Sequence, residues 1–144
     1  PLVACTLDGA EVGVAHAGWR GLAGGVLVNW VNCFSSGADT LTVWLGPAIC
    51  EKCFQVGRDV VQAFEQAPGF ENINISPHIT PDGDARGKYR LGLKQLALKQ
   101  LRALGVKQVV VSELCTMCEP TLHSYRRDSS PHRILCGVTK KDPT

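Results

Sequence analysis

Long apolar runs are missing from this chain: none approaches the roughly 20 residues that a membrane-crossing helix needs, so no helical span is expected within it. Strong charge of either sign is also missing. Fifteen Lys+Arg stand against 13 Asp+Glu, for a net charge of +2, too mild to point to nucleic acid as a partner. The opening stretch lacks the pattern of a signal peptide, since Asp8 and Glu11 interrupt it. Internal repeats and low-complexity segments are absent. So is an initiating methionine: the chain opens Pro1-Leu2-Val3 and runs straight into a strand. A domain rarely starts in mid-strand, and the expectation is that an upstream segment has been lost or is a separate chain.

What is present fits one domain over residues 1–144, with 44% hydrophobic and 19% charged residues. Seven cysteines are many for this length, and the number is odd. With no signal peptide, reduced thiols in a cytoplasmic protein are the default reading. Two pairs have Cys-x-x-Cys spacing, Cys50 with Cys53 and Cys115 with Cys118. Together they have the ligands for a four-thiolate zinc. The pairs lie far apart in the chain, however, and spacing alone leaves this the weaker reading. Cys5, Cys33 and Cys136 lie among apolar residues and read as core packing.

Residues 2–7 and 11–16 read as two strands joined by the Asp8-Gly9 turn. Leu22, Val26, Trp30 and Phe34 recur every four residues, with Leu27 and Val31 beside them, which predicts one helix over 20–34. Residues 41–45 read as a buried strand, 58–65 as a helix, and 67–87 as an extended surface loop rich in Pro, Gly, Asn and Asp. A third helix is expected over 91–104, with Gly105 as its stop, then strands over 106–112 and 133–138. Alternating strands and helices make a layered α/β domain.

Chemistry concentrates where strands end, as it does in α/β proteins generally. His16 leaves a strand just before Ala17-Gly18-Trp19-Arg20-Gly21. An imidazole there can offer a ring nitrogen to a metal, the glycines let backbone N–H groups approach an anion, and Arg20 adds a forked donor suited to phosphate. A satisfied histidine beside a tight turn is the plainer alternative. Gly46-Pro47-Ala48-Ile49 is a second such transition and reads as a rigid connector. Ser124-Tyr125-Arg126-Arg127-Asp128 is the third. Arg126 and Arg127 beside Tyr125 suit a phosphate or nucleoside, although Asp128 can equally hold one arginine in an internal ion pair. Cys115 follows a strand and is a nucleophile only if a neighbour lowers its pKa; a buried strand-end thiol is the simpler reading. His78, His123 and His132 show no ligand spacing, and His78 reads as solvated surface.

Taken in order, His16-Ala17-Gly18-Trp19-Arg20-Gly21, Leu45-Gly46-Pro47-Ala48-Ile49 with Val56-Gly57, Leu114-Cys115-Thr116 and Ser124-Tyr125-Arg126-Arg127-Asp128 resemble the laccase-domain family. Its members are known as multicopper polyphenol oxidases and as purine nucleoside phosphorylases. The resemblance covers nearly the whole chain. It implies a layered α/β/α sandwich with a mixed sheet, similar to deamidating toxin catalytic domains. It also implies zinc-dependent phosphorolysis of adenosine, inosine, guanosine and methylthioadenosine, with adenosine deamination alongside and copper as the alternative metal. The family's metal site uses two histidines and a cysteine. His16 matches one histidine, and the other two ligands belong to motifs upstream of Pro1. By the same resemblance His16 and Arg20 are the expected catalytic residues, and Arg20, Arg126 and Arg127 the expected phosphate ligands, with Cys115 and Tyr125 as secondary candidates. The sequence departs from the family pattern at Gly92, usually Asp, at Gln55, usually Glu, at His123, usually Phe, and at His132, usually Gly. A copper oxidase is disfavoured, because four scattered histidines supply no His-x-His pairs. A Cys–His hydrolase and a nucleoside-binding domain with weakened catalysis remain as rivals.

Overall fold

In the computed structural model, which describes residues 1–140, the opening hairpin forms as expected. Strand β1 (Leu2–Thr6) pairs antiparallel with β2 (Val12–Ala15). Asp8 closes the turn by accepting the Ala10 N–H at 2.9 Å, and Gly9 takes φ +70°, a conformation that glycine reaches without strain.

The helix expected over 20–34 is two helices, α1 (Trp19–Ala23) and α2 (Val26–Asn32). Gly25 breaks it, at φ +81°. The break decides which side chains face inward. Leu22, Leu27 and Val31 are buried, whereas Val26, Trp30 and Phe34 are only half-buried. Leu22 to Leu27 is a five-residue step, which a continuous helix would place on different faces. The periodic stripe in the sequence is therefore real, but its register shifts at the glycine pair.

Strand β3 (Leu41–Leu45) follows, then β4 (Gln55–Gly57), α3 (Arg58–Glu65), β5 (Ile79–Pro81), β6 (Lys88–Leu91), α4 (Leu93–Ala103), β7 (Gln108–Val111) and a short α5 (Tyr125–Asp128). The structure departs from expectation at several segments. The loop over 67–87 contains a helical turn at Ser76–His78 and the strand β5. Strands β4 and β6 were not legible as such. The strand expected over 133–138 does not form: the segment is irregular and Leu135 is 98% exposed. Arg133 bonds instead to the carbonyls of Ser130 and His132, which folds the tail on itself.

The strands make two sheets. One is mixed, in the order β2-β1-β3-β7, with only β3 and β7 parallel; the other is antiparallel, in the order β4-β6-β5. Period-two alternation gives the first sheet one buried face, carrying Leu2, Ala4, Thr6, Leu41, Val43 and Leu45. These join a core with Leu22, Leu27, Phe64, Leu96 and Leu101, all essentially inaccessible to solvent in the case of the last five. The opposite face shows Val14, Trp44 and Val110 to solvent. The result is the mixed α/β architecture with a mixed sheet that the sequence implied.

One row of the first sheet positions everything that follows. Ala15 pairs with Leu2, Leu2 with Leu45, and Leu45 with Val111. Hence β2, β3 and β7 all end at one edge, where β1 begins, and the segments leaving them emerge side by side.

Candidate functional site

A cleft of about 530 Å³ opens at that edge. The segment after β2 contributes His16, Ala17 and Gly18; the segment after β3 contributes Pro47, Ala48 and Ile49. The stretch after β7 adds Thr116 and His123, α4 adds Leu93 and α5 adds Tyr125, and the tail lays His132, Arg133 and Ile134 against them. The volume is within the usual range for small-molecule sites.

His16 is exposed in the cleft. A Cβ on Gly18 would come within 3.2 Å of its Nε2, so the bare glycine leaves the imidazole room beside the turn. Arg20, also exposed, lies over the Trp19 ring at 4.3 Å. Helix α1 has only five residues, so the dipole expected to favour an anion at its start is slight.

The arginine pair divides. Arg126 donates to the Gln55 carbonyl at 2.9 Å and lies 5.4 Å from the Phe54 ring, which ties α5 to β4. Arg127 grips its own loop: it donates to the carbonyls of Thr116 (3.0 Å), Met117 (3.3 Å), Glu119 (3.0 Å) and Leu122 (2.7 Å), and pairs with Asp128 at 2.7 Å. The Asp128 carboxylate raises the Arg127 pKa further. Ser124 caps α5 by accepting the Arg127 N–H. Neither guanidinium lines the cleft; among the described residues the arginine that does is Arg133, 5.7 Å from the Tyr125 ring. His123 and His132 also line it, with ring centroids 5.2 Å apart. Sequence reasoning passed over both histidines, although each replaces the residue that the family pattern usually has there.

Beside the cleft, the four cysteines of the two Cys-x-x-Cys pairs meet. The sulfur atoms of Cys50, Cys53, Cys115 and Cys118 lie within 4.8 Å of one another, a set that can hold a metal ion. The Cys50 N–H points at the Cys115 sulfur at 3.2 Å. Burial pushes the Cys115 thiol up, but hydrogen bonds from the Cys50 and Cys118 N–H groups, the Cys50 side chain and the Met117 N–H outweigh it and bring the pKa to about 6. Burial and the neighbouring thiols push Cys53 up to about 12. The reading of Cys115 as a buried strand-end thiol holds for its burial and misses its company. Cys33 is exposed, and Cys5 and Cys136 are only half-buried, so the core role expected for these three fails for Cys33.

Other expectations shift as well. His78 is not simply solvated: its Nε2 is buried and has no hydrogen-bond partner among the described residues. Burial, and then the charge of Lys99, lowers its pKa. At Gln55 the side-chain amide donates to the Asp82 carboxylate at 2.6 Å, where a glutamate would set two acids face to face. A Cβ on Gly92 would lie 3.2 Å from a Glu51 carboxylate oxygen, so an aspartate there would repeat the conflict.

The comparisons with known proteins bear on this arrangement. Residues 1–138 match the family model described as multi-copper polyphenol oxidoreductase laccase. The chain belongs to that family. It is 39% identical over 139 residues to the purine nucleoside phosphorylase YfiH of Escherichia coli strain K12, a match covering 96% of this chain and 54% of that protein. It is 33% identical to the adenosine deaminase RL5 of an unknown prokaryotic organism, covering 98% of this chain and 55% of that one. Among solved structures, the Neisseria meningitidis protein NMB0706 is similar with a TM-score of 0.79 and 36% identity, over 89% of this chain and 51% of that chain. The chain thus spans about half the length of the curated relatives it matches.

Three imidazoles, of His16, His123 and His132, line the cleft. The imidazole of His16 is exposed at the cleft and fits as a ligand, yet the group of three or more donors that the described residues assemble is the cysteine set, without His16.

Proposed function

We propose that the protein is a purine nucleoside phosphorylase, which splits the N-glycosidic bond of adenosine, inosine, guanosine or methylthioadenosine with phosphate, and that adenosine deamination accompanies it. The observation that carries this reading is the cleft at the shared strand edge, where His16, a cation and apolar walls converge. Relatives named for both activities support it.

In this reading the purine packs against Ile49, Leu93 and the Tyr125 ring, all in the cleft wall. Arg133 faces the anionic nucleophile, and Arg20 contributes positive charge from the first turn of α1. Phosphate attacks the anomeric ribose carbon as the bond to the purine nitrogen breaks. The base leaves with the bonding electron pair and takes up a proton. His16 would hold zinc, with copper as the alternative metal and further donors needed beside it; such an ion would supply Lewis acidity and would activate water for deamination. Arg127 positions the Thr116–Leu122 loop. The free cysteines support a cytoplasmic setting.

The test is phosphate-dependent release of free purine from inosine and adenosine, with this chain alone and together with the part of its longer relatives that it does not span. The reading expects release that requires phosphate and falls sharply with His16→Ala. Nucleoside binding without release, even when that further part is supplied, would favour a binding domain instead.

A further inference from the structure

The two Cys-x-x-Cys turns lie in two neighbouring loops that both line the cleft. Cys50 and Cys53 follow Pro47, Ala48 and Ile49; Cys115 and Cys118 flank Thr116 and precede His123. The loops already touch through the Thr116 N–H to the Ala48 carbonyl (3.3 Å) and the Cys50 N–H to the Cys115 sulfur (3.2 Å). We propose that Cys50, Cys53, Cys115 and Cys118 bind one zinc ion as four thiolates, and that this ion staples the two cleft-lining loops together.

Four considerations support it. Tetrahedral zinc with Zn–S bonds of about 2.3 Å places its sulfur atoms roughly 3.8 Å apart. The observed sulfur set, spread over at most 4.8 Å with its Cys53–Cys118 pair at 3.4 Å, needs only a small adjustment to match. No pair is joined as a disulfide. Each turn is built to present its sulfurs together: the Cys53 and Phe54 N–H groups close on the Cys50 carbonyl, and the Glu119 N–H closes on the Cys115 carbonyl. Finally, cations brace both turns from behind, Arg90 through the Lys52 carbonyl at 2.8 Å and Arg127 through the Thr116 and Met117 carbonyls. Binding displaces the thiol protons, and zinc with four thiolates carries a net charge of −2. Cys118 is exposed and Cys50 and Cys53 are half-buried, so an ion has a path in. This site uses none of the donors assigned to the phosphorolysis reading and stands or falls without it.

The experiment is metal loading of the reduced protein with cobalt(II) and then with zinc. Thiolate-to-cobalt charge-transfer bands and the strong visible absorption of a tetrahedral sulfur site are expected, bleached by about one equivalent of zinc. They should survive His16→Ala and vanish in the Cys50→Ser, Cys118→Ser double variant. Thiol alkylation mapped by mass spectrometry needs no variant: zinc should protect Cys50, Cys53, Cys115 and Cys118 while Cys33 reacts. Thiolate bands that disappear with His16→Ala would overturn the proposal. So would four thiols that react equally with and without zinc, or a Cys53–Cys118 disulfide that persists under reducing conditions.

Discussion

Replacing Gly25 with alanine tests the reason for the split helix. At φ +81° an alanine pays roughly 1–2 kcal/mol for the left-handed backbone, and its Cβ would lie 3.1 Å from Pro68 Cγ, a tight contact that adds to the loss. The chain cannot escape by making the helix continuous, because Leu22 and Leu27 would then leave the core in turn. At about 4 °C per kcal/mol for a domain of this size, Gly25→Ala should lower the melting temperature by about 4–8 °C, read by circular dichroism. Two controls apportion the effect. Gly9 has a similar φ of +70° but open space around it, and Gly137 has neither a positive φ nor a neighbour. Gly9→Ala should therefore show the backbone cost alone, and Gly137→Ala close to none. Gly25→Asn should fall between glycine and alanine, since asparagine tolerates the left-handed region. A Gly25→Ala protein as stable as the parent would refute the account of the break.

Arg127→Lys should lower thermal stability and raise KM for nucleoside and phosphate together, since it loosens a loop; a rise confined to phosphate KM at unchanged melting temperature would make Arg127 a phosphate ligand instead. Asp82 gives a pH test. The Gln55 amide above all, then the Asp84 N–H and Arg90, hold its carboxyl below the ordinary aspartate range against the upward push of burial. A depressed folded pKa means stability that is complete above the unfolded value, about 3.9, and is lost as pH falls through the folded one. Asp82→Asn should therefore flatten the acid limb of a melting-temperature profile as pH falls below the ordinary aspartate range, and an unchanged limb would count against the clamp. Phe64, fully buried and edge-to-face with Phe70 at 5.6 Å, should cost about 3–5 kcal/mol when cut to alanine, measured by urea unfolding.

Much of the fold could be read from local signals because the signals and the packing agree. The Asp8-Gly9 hairpin, β3, α3 and α4 combine clear periodicity with turn chemistry at their ends. Where they disagree, reading failed. The stripe over 22–34 looks continuous because a one-residue register shift at Gly25 leaves apolar residues on both sides of the break. Strands β4 and β6 are three and four residues long, too short for alternation to register, and it is their pairing that makes them strands. The 133–138 segment has strand-like composition but no partner strand among the described residues, so its hydrophobicity goes unspent.

The site shows the same division more sharply. His16 was legible because a strand end, two glycines and a helix start are local facts. Arg126 and Arg127 look alike in sequence, and only the tertiary fold separates a guanidinium that bridges to Gln55 from one that organises the Thr116–Leu122 loop. The cysteine pairs are the extreme case. Far apart in sequence, they offered the ligands for a four-thiolate zinc but no sign that the two pairs meet. They meet because β3 and β7 are parallel neighbours in register, Leu45 beside Val111, so that the loops leaving both strands start side by side. The parallel pairing that sets the two cleft-lining loops side by side is thus the feature that brings four sulfurs within reach of one ion. Any change that unpairs β3 from β7 should disturb the cleft and the cysteine cluster together.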